Sequence, residues 1–330
     1  MGETANIADI AQKLSKDIFK HFGWHIHPRK DDNFDCINDD HEGASGSATK
    51  THPTDVVFSY DDPYLAKRVH LLTDLKSYAK SSITHHKIRT ALKSLALTVD
   101  CAGQSVQWSE KFSVITSDPH EVRGLLFVHN HDNGYEKSFY DEMARVNTKT
   151  LPIEGGGVLH YLGPHDIQRL YTISNDILRL KAEQELPDKY TFYYPDLVMR
   201  RRHGDVWEQS ATFEMLAGPF MTIKHKAFEN RPAGYVIYYN RPGASPEEFE
   251  YLLDCFSRFQ MLESDELLRI RVVDRSADED LKSRFDLATK KYAKAWGFDP
   301  AREKVLSRIE IERVVAVTNN YSPGDMGWRT

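Results

Sequence analysis

Thr51-His-Pro-Thr-Asp-Val-Val-Phe-Ser-Tyr60, followed after a short turn by Val69-His-Leu-Leu-Thr-Asp-Leu-Lys-Ser-Tyr78, decides how this chain is read. Asp55 opens Val56-Val57-Phe58, a β-branched and aromatic run with the composition of a strand. Val69 to Lys76 is a second such run, rich in Val and Leu, and Asp61-Asp-Pro63 makes the turn between them. The eleven residues between Asp55 and Lys67 leave room for one strand and a tight connection, so an antiparallel hairpin is the simplest geometry. Asp74 and Lys76 are two apart and share one face of a strand, with Leu75 turned to the core behind them. Hairpin pairing brings Asp55 beside that face.

These residue types suit a divalent metal and a phosphodiester. Mg²⁺, or Mn²⁺ in its place, is a hard cation that prefers carboxylate, carbonyl and water oxygens. Asp55 and Asp74 offer the carboxylates, and the backbone carbonyl of Leu75 offers a third oxygen. Lys76 is a compact charge suited to holding the attacking water or the developing phosphorane oxygens. Taken singly, an Asp at a strand start is a common turn residue, and Asp-x-Lys is frequent in charged proteins. The joint pattern is rarer: Pro, Asp, an apolar strand, then a second apolar strand ending in Asp-x-Lys.

With Pro53-Thr-Asp55 and Asp74-Leu-Lys76, the chain resembles the PD-(D/E)xK, or restriction-endonuclease-like, nuclease superfamily. A Thr lies between the Pro and the Asp, and the second acidic position is Asp rather than the commoner Glu. The resemblance implies a core running helix, three strands, helix, strand. Ile7, Ile10, Ala11, Leu14, Ile18 and Phe22 recur at helical steps, with Gly23 as a stop. Trp24-His-Ile-His27 reads as a first strand, the hairpin as the second and third, Ile83 to Val99 as a second helix, and Leu125-Leu-Phe-Val128 as the fourth strand. The resemblance covers roughly residues 5 to 132. Many members carry a Glu on the first helix; Gln12 stands at that position here, with Asp9 one turn earlier.

The formal net charge of −6 argues against a basic surface over the whole protein. From Tyr64 to Lys93, however, seven basic residues face Asp74 alone, a net of +6. Such a strip suits a nucleic-acid backbone, and Lys80, Lys87 and Arg89 around the start of the second helix are its candidate contacts; the alternative is a solvated helix face. Only Cys36, Cys101 and Cys255 occur. Their wide spacing makes neither a disulfide framework nor a metal cluster, and suggests a reducing cytosol. With no apolar run of membrane-spanning length and no signal-peptide core, the expectation is a soluble, cytoplasmic protein.

Residues 28 to 53 are polar and read as a mobile loop that folds over a substrate, its acidic residues lesser candidates for a metal. Val128-His-Asn-His-Asp132 is a weaker metal candidate, Gly155-Gly-Gly157 a turn, and Arg200-Arg-Arg-His203 a short basic run. Beyond Val128 the pattern alternates: helix at Tyr135 to Val146, strand at Gly157 to Leu162, helix at His165 to Glu185, strand at Tyr190 to Tyr194. This alternation extends the first sheet in parallel fashion. Thr212 to Ile223, Tyr235 to Tyr239, Leu267 to Val273 and Ile309 to Val317 then read as strands. Ser245-Pro-Glu-Glu248 opens one helix and Asp278 to Trp296 forms another.

The expected architecture is α/β, a restriction-endonuclease-like mixed sheet flanked by helices in residues 1–204, with an α+β or α/β domain of unknown role in 205–330. The resemblance implies a Mg²⁺-dependent endonuclease acting on nucleic acid, DNA in the first instance, in restriction, repair or defence. The alternative is a nuclease-fold subunit that binds nucleic acid or assembles with a partner without catalysis. A protein partner or a second copy would engage the C-terminal domain.

Overall fold

A computed structural model describes residues 2–43, 46–153, 157–195, 207–262, 266–295, 297, 300–316 and 321, with residues 2–8 and 302 described by their backbone alone. The chain forms two compact units, one of residues 1–62, 67–171 and 319–330, the other of 63–66 and 172–318. Among the described residues, no helix is long and apolar enough to cross a membrane.

In the first unit, helix α1 (Gly2–Asp17) leads into β1 (His25–Lys30). Two short strands, β2 (Phe34–Asp35) and β3 (Thr51–His52), pair with each other. The hairpin follows as β4 (Val56–Asp62) and the twelve-residue β5 (Lys67–Tyr78). Next come α2 (His85–Ala102), α3 (Val106–Lys111), β6 (His120–Asn130), α4 (Phe139–Ala144) and β7 (Leu159–Leu162). The sheet runs β1-β4-β5-β6-β7, antiparallel from β1 to β5 and parallel from β5 to β7. Helix, three sheet strands, helix and strand follow one another as the resemblance implied.

Period-2 alternation gives each hairpin strand two apolar faces. Val57 and Leu72 pack with Ile88, Leu92, Leu95 and Val99 of α2. Phe58 turns the other way, its ring 4.8 Å from that of Phe19, which also meets Trp24. Both faces are covered, so the central strands read as nearly continuous apolar runs. Helix α2 starts at Thr84, whose hydroxyl accepts from Lys87 N–H. It lies close on the sheet because Gly124 carries no side chain: a Cβ there would stand 2.6 Å from Leu159 and 2.9 Å from Leu95.

The polar stretch 28–53 departs from the expected mobile loop. Asp31 and Asp32 N–H donate to the carbonyls of Asp55 and Thr54, and Cys36 N–H to that of Lys50. Asp32 also pairs with Lys111 at 2.8 Å, and Gln107 bonds Asp35 through both backbone and side chain. Phe34 is fully buried against α2. Short polar segments of this kind carry no apolar periodicity; backbone pairing and one buried ring hold them.

Helix α5 (Pro164–Ala182) crosses from the first unit into the second. The second unit then contains β8 (Thr191–Phe192), α6 (Phe213–Ala217), β9 (Phe220–His225), β10 (Gly234–Tyr239), α7 (Pro246–Arg258), β11 (Leu267–Val272), α8 (Leu281–Ala295), α9 (Pro300–Leu306) and β12 (Glu310–Arg313). Its sheet runs β12-β11-β10-β9-β8, parallel among β10, β11 and β12. Two expectations are corrected. The strand near Tyr190 belongs to this second sheet, pairing antiparallel with β9, and does not extend the first. The predicted strand from Thr212 begins as helix α6, because the Thr212 hydroxyl caps Met215 N–H; only Phe220–His225 is extended. Ser245 caps α7 as its sequence suggested. The run Arg200–His203, and Gly155 with Gly156, lie outside the described residues.

Replacing Gly124 with Ala should overpack the junction of α2, β6 and β7. We expect a loss of about 1–3 kcal/mol in chemical denaturation; an unchanged midpoint would show that α2 can move off the sheet freely.

Candidate active site

The hairpin register sets the site. Val56 pairs with Thr73, so Asp55 is one residue before that pair and Asp74 one residue after it on the facing strand. Asp55 and Asp74 line one crevice together with Pro53, Leu72, Thr73 and, from α2, Ser94, Leu95 and Thr98. Beyond Asp74, β5 is no longer paired with β4, though it still pairs with β6 as far as Tyr78. The Leu75 N–H left over by β4 donates to Asp55 Oδ2 at 2.7 Å. Lys76 Nζ stands 2.5 Å from Asp74 Oδ1. Asp55, Asp74 and Lys76 are therefore brought together.

The electrostatics follow from this packing. Burial, and then the charge of Asp74, push the Asp55 carboxyl up to about 6, against the opposing pull of the Leu75 N–H and Lys76. Burial works against the Lys76 charge, but ion pairing and hydrogen bonding with Asp74 outweigh it and hold the ammonium above its ordinary value. Two half-buried carboxylates set side by side form a hard, anionic donor set. With the Leu75 carbonyl beside them, they fit a hard divalent cation.

Asp74, Lys76 and Tyr78 also form one wall of an open groove of about 390 Å³. Lys87, Thr90, Ala91 and Ser94 of α2, at steps of three and four residues, form the other. Lys87 Nζ sits 5.5 Å from the Tyr78 ring centre. The other nucleic-acid candidates lie elsewhere. Arg89 reaches Thr150, and Lys80 runs along Gly134. At the far end of β5 the basic strip is neutralised, since Arg68 forks onto Asp61 and Lys67 approaches Glu121.

Gln12 accepts a hydrogen bond from Lys30 Nζ at 3.0 Å. Asp31 is the acidic residue whose charge reaches Asp55 from the end of β1. It is in a left-handed conformation, φ 47°, where β1 turns back toward Asp55. Only the pairing of 31–32 with 54–55 brings it there, and no local motif announces it. The His-Asn-His-Asp run holds backbone: Asp132 accepts from Lys80 and Gly134 N–H, Asn130 donates to the Tyr78 carbonyl, and His129 Nε2 lies 3.0 Å from the Tyr321 carbonyl.

A family model described as the GAPS4 protein PD-(D/E)XK nuclease domain matches residues 1–166. The chain belongs to this family. The matched segment spans every strand of the first sheet and both members of the Asp55–Asp74 pair. No curated protein and no solved structure matched the chain. The GAPS4-type nuclease domain implies a nucleic-acid substrate, and PD-(D/E)XK nucleases typically use divalent metals.

The sign of the Asp55 shift fixes a pH dependence. Its folded-state value lies above that of an exposed Asp, near 3.9, so the native state holds the proton more tightly than the unfolded chain. That stabilisation is complete below about pH 4 and is lost as pH rises through about 6. Asp55→Asn should flatten melting temperature against pH across that window and raise it at pH 8. Parallel curves for the two proteins would contradict the assignment.

Proposed function

We propose that the N-terminal unit is a metal-dependent endonuclease that hydrolyses phosphodiester bonds in DNA. The observation that carries this reading is the convergence of Asp55 and Asp74 in one crevice, with Lys76 on Asp74, at the wall of an open groove. The deprotonated carboxylates and the Leu75 carbonyl would hold Mg²⁺, or Mn²⁺ in its place. When bound, such an ion supplies Lewis acidity toward phosphate and water.

The chain's own residues do the rest. The Leu75 N–H fixes one oxygen of Asp55, a residue that lines the crevice. Asp74 holds the Lys76 ammonium in place. Its remaining protons can orient the attacking water or meet charge developing on the phosphoryl oxygens. Lys87, on the opposite wall, is placed to meet a backbone phosphate along the groove. The Tyr78 ring beside it offers a face to a base or sugar.

Asp74→Ala should abolish Mg²⁺-dependent cleavage of plasmid and linear DNA while leaving circular dichroism and the unfolding midpoint near those of the parent. Full cleavage by that variant would refute the mechanism. Lys87→Ala should weaken DNA binding without regard to sequence. It should also reduce the slope of log affinity against log salt by about 0.9, one phosphate contact; an unchanged slope would move the backbone path out of this groove.

A further inference from the structure

Next to the carboxylate crevice lies a second group of metal-ligating side chains, of a different chemical kind. Cys36, His41, His52 and Cys101 each offer one ligand atom, and all four atoms lie within 4.8 Å of one another. This corrects the expectation that the cysteines form no metal cluster. Cys36 and Cys101 are 65 residues apart in the chain, and the fold brings their sulfurs to 3.6 Å.

We propose that Cys36, His41, His52 and Cys101 bind a structural zinc ion that fastens the β2–β3 segment to the end of α2. The first argument is geometric. Zn–S and Zn–N bonds of about 2.3 and 2.0–2.1 Å at tetrahedral angles require ligand atoms about 3.3–3.8 Å apart. Cys36 Sγ lies 3.5 Å from His41 Nδ1, and Cys101 Sγ lies 3.4 Å from the same atom. His41 Nδ1 and His52 Nε2 are 3.4 Å apart. That separation is long for a nitrogen–nitrogen hydrogen bond and natural for one edge of a metal tetrahedron.

The second argument is the outer shell. His41 turns its other nitrogen, Nε2, to Asp100 Oδ2 at 3.2 Å, the carboxylate–histidine–zinc arrangement. His52 turns its Nδ1 to Thr98 Oγ1 at 3.4 Å. His41 thus keeps Nδ1 toward both cysteines and His52 keeps Nε2 toward His41 Nδ1. The third argument is charge. His41, His52 and Cys101 are buried, and Cys36 is half-buried. Binding would release one proton from each thiol to solvent, and two thiolates with Zn²⁺ make a neutral unit that tolerates burial. Soft sulfur and imidazole ligands select zinc over Mg²⁺, so the two sites do not compete for one ion.

The site also has a mechanical consequence. His52 precedes Asp55 by three residues, and Thr98, its partner on α2, lines the Asp55 crevice. A metal here would fix the approach of the chain to Asp55.

Metal analysis of the full-length protein, purified under reducing conditions from zinc-supplemented cells, should find about one zinc per chain. Cys101→Ala should reduce this to under about a tenth. Asp100→Asn, which keeps all four ligands, should retain the fold and weaken zinc affinity about 10–100-fold in a chelator competition. Cobalt loaded into the unmodified chain should show thiolate-to-metal charge-transfer absorption, a readout that needs no variant. Asp74→Ala should keep its zinc, so failure of the nuclease reading would leave this one standing. An unmodified chain without zinc and without cobalt–thiolate absorption would overturn the proposal. So would loss of the ion in Asp74→Ala, or a Cys36–Cys101 disulfide in the reduced preparation.

Discussion

The antiparallel register of β4 against β5 is the constraint on which the first unit depends. Pairing Val56 with Thr73 sets Asp55 and Asp74 side by side and leaves Leu75 beyond the last rung of the ladder. A slip of one residue would turn every side chain of β4 to the opposite face. Val57 would leave α2, Phe58 would leave Phe19, and Asp55 would leave Asp74. The apolar core thus enforces the alignment that sets the acidic pair together, and supplies the free energy that holds two like charges side by side. Burial first, and then the charge of Asp74, raise the proton affinity of Asp55.

Much of this was legible in the sequence because it rests on local pattern. Val56-Val57-Phe58 and Val69 to Leu72 announce their strands, Asp74-Leu-Lys76 announces a shared face, and Ile88, Leu92, Leu95 and Val99 announce α2. What stayed hidden rests on contacts between distant residues. Asp31 reaches Asp55 only through backbone pairing of two polar segments. The Cys36 and Cys101 sulfurs meet only once α2 has docked. Reading the cysteines without His41 and His52 concealed a four-member set. Thr212 to Ile223 misled because its first turn, Phe213 to Ala217, is a capped run of mostly good helix formers that reads as one with the strand after it.

The second unit has its own organising interaction. Asp176, deeply buried, accepts Arg271 Nε and Nη2 at 2.9 and 2.6 Å, with Tyr238 hydroxyl at 3.0 Å. Arg271 and Tyr238 are register partners on adjacent parallel strands. The fork belongs to a wider network, since Arg179 also reaches Asp176 at 3.0 Å and Glu312 also reaches Arg271 at 2.6 Å, and breaking it would strip a buried charge of its best-placed partner. It joins α5 to the central strands of the sheet, where apolar packing alone would allow the helix to slide.

Leu75 stands where β5 outruns β4 on one side while still paired with β6 on the other. Its amide belongs by position to the ladder but is held by a side chain. Amide hydrogens inside β5 exchange with solvent only when strands part, whereas the Leu75 hydrogen is guarded by one carboxylate. Its exchange rate is therefore tied to the ionisation of Asp55 and to whatever that carboxylate grips, so a single backbone hydrogen acts as a gauge of the state of the site.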